Sequence, residues 1–295
     1  MFGLDLKTPV SILIAVKNEE RNLVRCLDAV ADWAEEIVVV DSGSEDRTVE
    51  IAERYGCRVL QFDYQGGWPK KRQWAIETHD WRNDWILILD ADEILDDPIR
   101  DEIAEAITND AYDGYWLKFQ IFFLGRQLKH GGTELYKLFL FRRGKGRYEK
   151  RIEDQDKSMA DMEVHEHVVV EGNVGRLRRP IRHENFNSLD RYILKHNEYS
   201  NWEAKVFWDG GDGEVEPKLF GNQSQRRRWL KRAFLKVPGS PAIRFLYHYV
   251  LHFGFLDGKS GLIYSLFKGV QLFHIKAKLY EKRAVRDGKI PGREE

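Results

Sequence analysis

The chain has 295 residues, 42% of them hydrophobic and 32% charged, so it can bury a sizeable core and is too apolar for disorder over most of its length. Its two cysteines, Cys26 and Cys57, exclude a disulfide framework and read as buried, reduced thiols, which points to a cytoplasmic setting. The net charge of −1 hides an asymmetry: residues 218–283 carry fourteen Lys and Arg against two acids, a surplus of twelve, and the remainder carries thirteen net negative charges.

The N-terminus, "MFGLDLKTPVSILIAV", holds acids and no basic leader region, so it does not read as a signal peptide. Residues 10–16, "VSILIAV", form a short apolar, β-branched run of the kind found in buried parallel strands. A helix follows with Leu23, Leu27 and Val30 on one face, then a second strand, "EIVVVD", and a helix that Gly56 closes. The third strand is "CRVLQF", followed by a helix with Pro69 at its start. "WILILD" is the fourth strand and "DPIRDEIAEAIT" the fourth helix. This alternation predicts an α/β layer with a mostly parallel sheet.

After Gly114 the period changes to two. "YWLKFQIFFLG" and "TELYKLFLFRRG" alternate around a loop containing Gly131 and Gly132, and predict antiparallel strands added at an edge. "EVHEHVVVEG" is a further strand candidate, and residues 188–208 predict a helix with Ser188 as N-cap. An acidic, Gly-rich turn near residue 215 then separates residues 1–215 from a basic helical region, 216–295. Within the first part, the change of period divides residues 1–113 from residues 114–215.

The chemistry concentrates where strands end. In open α/β sheets ligands bind beyond the carboxyl ends of the strands. Those ends carry "VKNEE", then Asp41-Ser42-Gly43-Ser44, then Asp90-Ala91-Asp92 with Glu93 beside them. Crowded carboxylates repel one another. No glycine-rich phosphate cradle follows any of these strands, so a phosphate would need another partner. Mn²⁺ or Mg²⁺ held by carboxylates suits that task. The plain alternative for the acids is a set of solvated loop residues and helix caps.

"SILIAVKNEERNL", "EIVVVDSGSEDRTVEIAERYG", "KKRQWAIE" and "WILILDADEIL", in this order, resemble the successive motifs of the family 2 inverting glycosyltransferases with the GT-A fold. "VHEHV", "IRH" and "GFLDGKSG" are similar to a bacterial subgroup that includes lipopolysaccharide-core and exopolysaccharide sugar transferases. The resemblance covers nearly the whole chain. It implies that Ala15, Val16, Asn18 and Glu19 end the strand where the nucleotide docks, and that Asp41 accepts hydrogen bonds from the base, usually uracil, with Ser42 and Gly43 flanking it. Asp90 lies near the ribose, Ala91 follows it, and Asp92 holds the metal. Lys71 and Arg72 stand where the family contacts the diphosphate, Arg72 being the better match, while Gln73 departs from the family's Asn. An exposed helix face is the plain alternative for both.

An inverting transfer needs a carboxylate to take the acceptor hydroxyl's proton. The resemblance assigns that role to Glu166, with Asp161 and Glu163 close enough to substitute, and a solvated strand carboxylate as the plain alternative. His165 and His167 read as structural, whereas His183 is implied as a late metal ligand that would favour Mn²⁺.

The basic C-terminal helices interleave Arg and Lys with Trp, Phe and Tyr. No RNA-binding motif accompanies them, so nucleic acid is not the expected partner. An anionic membrane surface is. Arg244, His248, His252, Lys268 and His274 interrupt the longest apolar runs, so no spanning segment is predicted. The expected protein transfers a sugar from a nucleotide diphosphate, UDP first, to a glycan or glycolipid of the bacterial envelope, on the inner face of the cytoplasmic membrane. A nucleotidyltransferase and a degenerate module that binds without catalysis are the rivals.

Overall fold

In a computed structural model the protein is described over residues 7–151, 163, 166–184, 188–210, 216–221 and 223–291. Four apolar runs build the first half of the sheet: β1 (Thr8–Val16), β2 (Ala34–Asp41), β3 (Arg58–Gln61) and β4 (Trp85–Asp90). They pair in parallel in the order β3-β2-β1-β4. Central β1 and β4 are apolar on both faces because both are covered, and Ile12, Leu13, Ile86 and Leu87 are fully buried. The crossovers are α1 (Glu20–Asp28), α2 (Thr48–Arg54) and α3 (Lys71–Thr78). On α1 the spacing of Leu23, Cys26 and Leu27 puts all three into the core. Gly56 at φ +71° ends α2 in the left-handed region, as expected of a helix-closing glycine. Cys26 is buried, but Cys57 is half-buried, because it lies in the turn before short β3; both are free thiols.

A two-residue strand, β5 (Glu93–Ile94), precedes α4 (Asp97–Ala106). The second half adds β6 (Gly114–Phe123), β7 (Arg126–Gln127) and β8 (Leu135–Arg142), then β9 (Gly146–Tyr148), β10 (Val168–Val170) and β11 (Val174–His183). The full sheet runs β3-β2-β1-β4-β8-β6-β11-β5, with β7 on β6 and with β9 and β10 as a separate pair. β8 joins the parallel block antiparallel to β4, and β6 is antiparallel to β8. These strands are not the sheet's outer edge, since β11 continues it beyond β6, in parallel. Strand β11 was missed by sequence pattern. The candidate strand at residues 163–172 is reduced, among the described residues, to three-residue β10.

Helix α3 begins at Lys71 rather than at Pro69, and its cap comes from far away. Glu163 accepts from the Arg72 and Gln73 amides at 3.2 and 2.9 Å, satisfying two N-terminal N–H groups that the helix cannot pair itself. Ser188 caps α5 (Leu189–Asp209), its hydroxyl accepting from the Arg191 amide at 3.1 Å.

The C-terminal helices are α6 (Gln223–Lys236), α7 (Ser240–Leu246) and α8 (Gly258–Arg286), with a π-helical turn at Tyr247–Leu251 and a 3₁₀ turn at Gly254–Asp257. Buried ion pairs cross the boundary drawn at residue 215. Arg228 donates to Glu149 at 2.5 and 3.1 Å, both side chains buried, and Lys231 pairs with Glu203 of α5. Asp257 accepts from the Lys129 and His130 amides at 3.2 and 2.9 Å, fastening the β7–β8 loop to the start of α8.

Removing one partner of a buried pair strands the other charge. We expect Arg228→Met to destabilise the protein by about 3 kcal/mol or more, and Arg228→Met with Glu149→Leu to recover part of that loss. Denaturant midpoints of the two variants measure both effects.

Candidate functional site

The register of the sheet assembles the site. Ala15 of β1 lies between Val40 of β2 and Asp90 of β4, and Val16 is opposite Asp41. Strand-end acids thus flank β1 on both sides. The chain leaves β4 at Asp90, turns through Ala91 and Asp92, and re-enters the sheet at Glu93, which is opposite His183 of β11. The curl of the sheet thereby brings an imidazole against the Asp-x-Asp turn.

Protein cations answer most of the crowding. Arg72 of α3 donates to Asp90 Oδ1. Lys137 of β8 donates to Asp90 Oδ2 at 3.0 Å and to Glu93 Oε1 at 2.9 Å. Fully buried Glu93 also accepts the Asp90 amide at 2.9 Å and faces His183 Nδ1 at 3.0 Å. Burial would raise the Asp90 carboxyl, but Arg72 and Lys137 hold it well below the usual carboxylate range. Burial likewise opposes charge on Lys137, and Asp90 and Glu93 overcome it, keeping the ammonium above its ordinary value.

Asp92 is the exception. Its Oδ1 is buried and accepts no hydrogen bond among the described residues, with His183 Nδ1 4.0 Å away. Asp90, Asp92 and His183 each offer one ligand atom, all within 4.8 Å of one another. Two carboxylate oxygens and an imidazole nitrogen suit Mn²⁺ or Mg²⁺, and an orphaned buried oxygen is what such a cation would satisfy. Glu93 Oε1, 3.0 Å from His183 Nδ1, fixes the orientation of the imidazole beside the two carboxylates. Burial lowers the His183 pKa, but Asp92 and Glu93 outweigh it and leave it raised above the ordinary 6.5.

These groups line a cleft of about 340 Å³, together with Ala15, Glu19, Arg72, Ala91 and Glu166. Val16, Asn18, Asp41, Ser42 and Lys71 lie outside its lining. They knit the strand ends instead. Lys71 Nζ donates to the Val16 carbonyl and to Ser42 Oγ, each at 2.7 Å. Asn18 Oδ1 accepts from the Glu45 amide at 2.8 Å. Buried Asp41 accepts from the Gly43 and Ser44 amides at 3.0 Å and from the Ser44 hydroxyl at 2.5 Å, leaving about one of a carboxylate's four acceptor sites. Lys71 and Arg72 are both buried, so neither belongs to an exposed helix face. The Arg72 guanidinium is engaged by Asp90 and by the Glu163 carbonyl at 2.8 Å.

Glu166 is likewise no solvated strand carboxylate. It stands in the cleft wall, ion-paired with Lys70 at 2.9 Å, both side chains without exposure. Glu163 also borders the cleft, but its two oxygens cap α3, which ties it to structure. Burial raises its pKa against the pull of Arg72. His167 lines the cleft too, and burial, aided by Arg228 against the pull of Glu149, lowers its pKa to about 4, so it is neutral at pH 7. Asp161 and His165 lie outside the described residues.

Sequence pattern missed Lys137, Lys195 and Tyr199, all of which line the cleft. For Lys137 a signal exists: strand alternation puts it in phase with Phe139 and Phe141, a lysine on a core-facing stripe. Lys195 and Tyr199 sit on a helix whose packing partner, α8, is remote in sequence.

The α/β sheet thus gathers two acids and a histidine at its strand ends, in one cleft. The Glycosyl transferase family 2 profile matches residues 11–169. The lipopolysaccharide core biosynthesis glycosyltransferase LpsC of Rhizobium meliloti (strain 1021) is 32% identical over 291 residues, 95% of each chain. An uncharacterized glycosyltransferase of Rickettsia conorii, RC0292, is 29% identical over 207 residues, 68% of this chain and 71% of that one. Among solved structures, S. aureus TarS is 14% identical with a TM-score of 0.47, over 97% of this chain and 93% of that one. The chain belongs to glycosyltransferase family 2 and is a glycosyltransferase.

Lys137→Met leaves buried Glu93 with the Asp90 amide and the His183 imidazole in place of a permanent cation. We expect it to cost about 3–5 kcal/mol, read from urea unfolding. His183 gives a pH signature in chelator-treated protein. Its raised pKa means that its stabilising charge is fully present below pH 6.5 and is lost as pH rises through the raised value. The melting-temperature penalty of His183→Gln should therefore be larger at about pH 6 than at about pH 9, and a penalty that grows toward alkaline pH contradicts the pairing.

Proposed function

We propose that the protein is a metal-dependent inverting glycosyltransferase that moves a sugar from a nucleoside diphosphate, UDP being the expected nucleotide, to a lipid-linked or lipopolysaccharide-type glycan. One observation carries this reading: the unsatisfied Asp92 oxygen beside Asp90 and His183, in the same cleft as Glu166. The acceptor class draws support from the R. meliloti relative, a lipopolysaccharide core biosynthesis glycosyltransferase. A cation held by Asp92 and His183, with Asp90 adjoining, would supply positive charge against the diphosphate leaving group.

The chain's own residues would do the rest. Lys137 and Arg72 keep Asp90 ionised and fixed. Asp41 offers an acceptor to the nucleobase at the end of β2. Glu166 takes the acceptor hydroxyl's proton as the new C–O bond forms and the bond to the diphosphate breaks, with Lys70 holding that carboxylate in place. In this division residues 1–113 serve the nucleotide and 114–215 the acceptor and the base.

Asp92→Asn is expected to lose nearly all transfer together with Mn²⁺-dependent UDP binding. Glu166→Gln should keep UDP binding and lose turnover. Calorimetric titration of UDP with and without Mn²⁺, paired with a sugar-transfer assay, separates the two. Undiminished metal-dependent binding by Asp92→Asn would remove Asp92 from the metal site.

A peripheral membrane location is a second element of this reading. No helix among the described residues is long and apolar enough to cross a membrane. Leu251, Phe253 and Leu256 are 68, 55 and 54% exposed around the turns between α7 and α8, and Leu246 beside them is also exposed. Such an apolar patch next to basic helices fits the interface of an anionic bilayer. The protein should float with anionic liposomes at low salt, and Leu251→Asp with Phe253→Asp should stay at the bottom of the gradient.

A further inference from the structure

A second cavity, of about 150 Å³, lies beside the cleft, walled by β6, α5 and α8. The two share His183, Lys195, His196 and Tyr199, so a molecule in the second cavity abuts whatever occupies the first. Part of its lining is aromatic. Phe123 meets Tyr192 and Tyr264 with ring centroids 5.2 and 5.6 Å apart, and Tyr192 stacks on His196 at 3.9 Å. Ring faces of this kind offer flat apolar surface that the C–H face of a sugar can cover.

The remainder is cationic. Arg191, Lys195 and Lys268 line the cavity, and no carboxylate does among the described residues. Arg191 has Glu19 4.0 Å away. Lys195 and Lys268 make no ion pair among the described residues, and the Lys268 ammonium sits 4.5 Å from the centroid of the Tyr264 ring. Three cations around a small cavity concentrate anions. A neutral sugar would use the ring faces and leave the Lys195 and Lys268 ammoniums without an ion pair among the described residues.

We infer that this cavity is the acceptor subsite and that it selects an acidic sugar, one carrying a carboxylate or a phosphate, anchored by Lys195, Lys268 and Arg191 with its reacting hydroxyl toward the shared wall. The inference rests on the proposed sugar transfer and adds the chemical class of the acceptor. It makes Lys268 and Arg191 specificity residues that stay clear of the nucleotide, since neither lines the first cleft.

The test is calorimetric titration of the full chain holding Mn²⁺ and UDP, with glucuronate, glucose 6-phosphate and glucose as probes. At least one acidic sugar is expected to bind about tenfold or more tighter than glucose, and Lys268→Gln and Arg191→Gln each to weaken it about tenfold with UDP affinity unchanged. Preference between the two acids assigns the group as carboxylate or phosphate. Exposed Arg191 keeps the test available should Lys268→Gln fail to fold. Equal binding of all three sugars, or wild-type affinity in variants that melt like the parent, overturns the inference while metal-dependent UDP binding leaves the transfer reading intact. Failure of the parent protein to bind UDP with Mn²⁺ overturns both.

Discussion

Charge balance at the end of β4 is the constraint around which the site is organised. Asp90, Asp92 and Glu93 fall within four residues, at the point where the sheet curls back to meet β11. Repulsion there would open the turn were it not answered from three directions, by Arg72 of α3, Lys137 of β8 and His183 of β11. Each of those elements is thereby held to the turn electrostatically as well as by packing. The protein neutralises Asp90 and Glu93 itself and leaves one Asp92 oxygen open. The cluster is therefore divided: two acids are paired within the frame, and one keeps an oxygen that accepts no hydrogen bond among the described residues.

The same division applies to the basic C-terminal segment. Its surplus of positive charge suggests an outward-facing surface, yet several of its cations are engaged by the protein itself. Arg228 and Lys231 are in ion pairs with buried acids, Arg227 donates to the Glu134 carbonyl at 2.7 Å, Lys276 holds the Val237 carbonyl at 2.7 Å and Lys278 holds Asn197 of α5. Glu149, the acid partner of Arg228, in turn accepts the His167 amide at 3.0 Å, one residue from Glu166. The C-terminal helices thus brace the wall of the cleft.

What was legible in the sequence follows from physical locality. Strands β1, β2 and β4 declare themselves because burial on both faces demands unbroken apolar runs, and the acids at their ends stand out against those runs. Strand β11 does not: Arg176, Arg178, Arg179 and Arg182 interrupt it and Pro180 lies within it, so neither period nor propensity marks it. Its place in the sheet comes from parallel pairing with β6, a tertiary fact. His183 was found by likeness to a family motif and not by pattern. Lys137 is marked only by its phase with Phe139 and Phe141, which places a lysine on a core-facing stripe. The position of β6 inside the sheet could not be read because β11, the strand that flanks it, was itself hidden.

The cap on α3 bears on how the chain matures. The amides at the start of this helix find their acceptor in Glu163, about 90 positions downstream. While the polypeptide emerges from the ribosome, residues 1–113 lack that cap until the later carboxylate arrives, so the first turn of α3 is completed late and from a distance. Cutting the gene between the halves would yield a fragment with raw helical ends, and the two halves are better regarded as one cooperative unit than as modules that evolution could exchange.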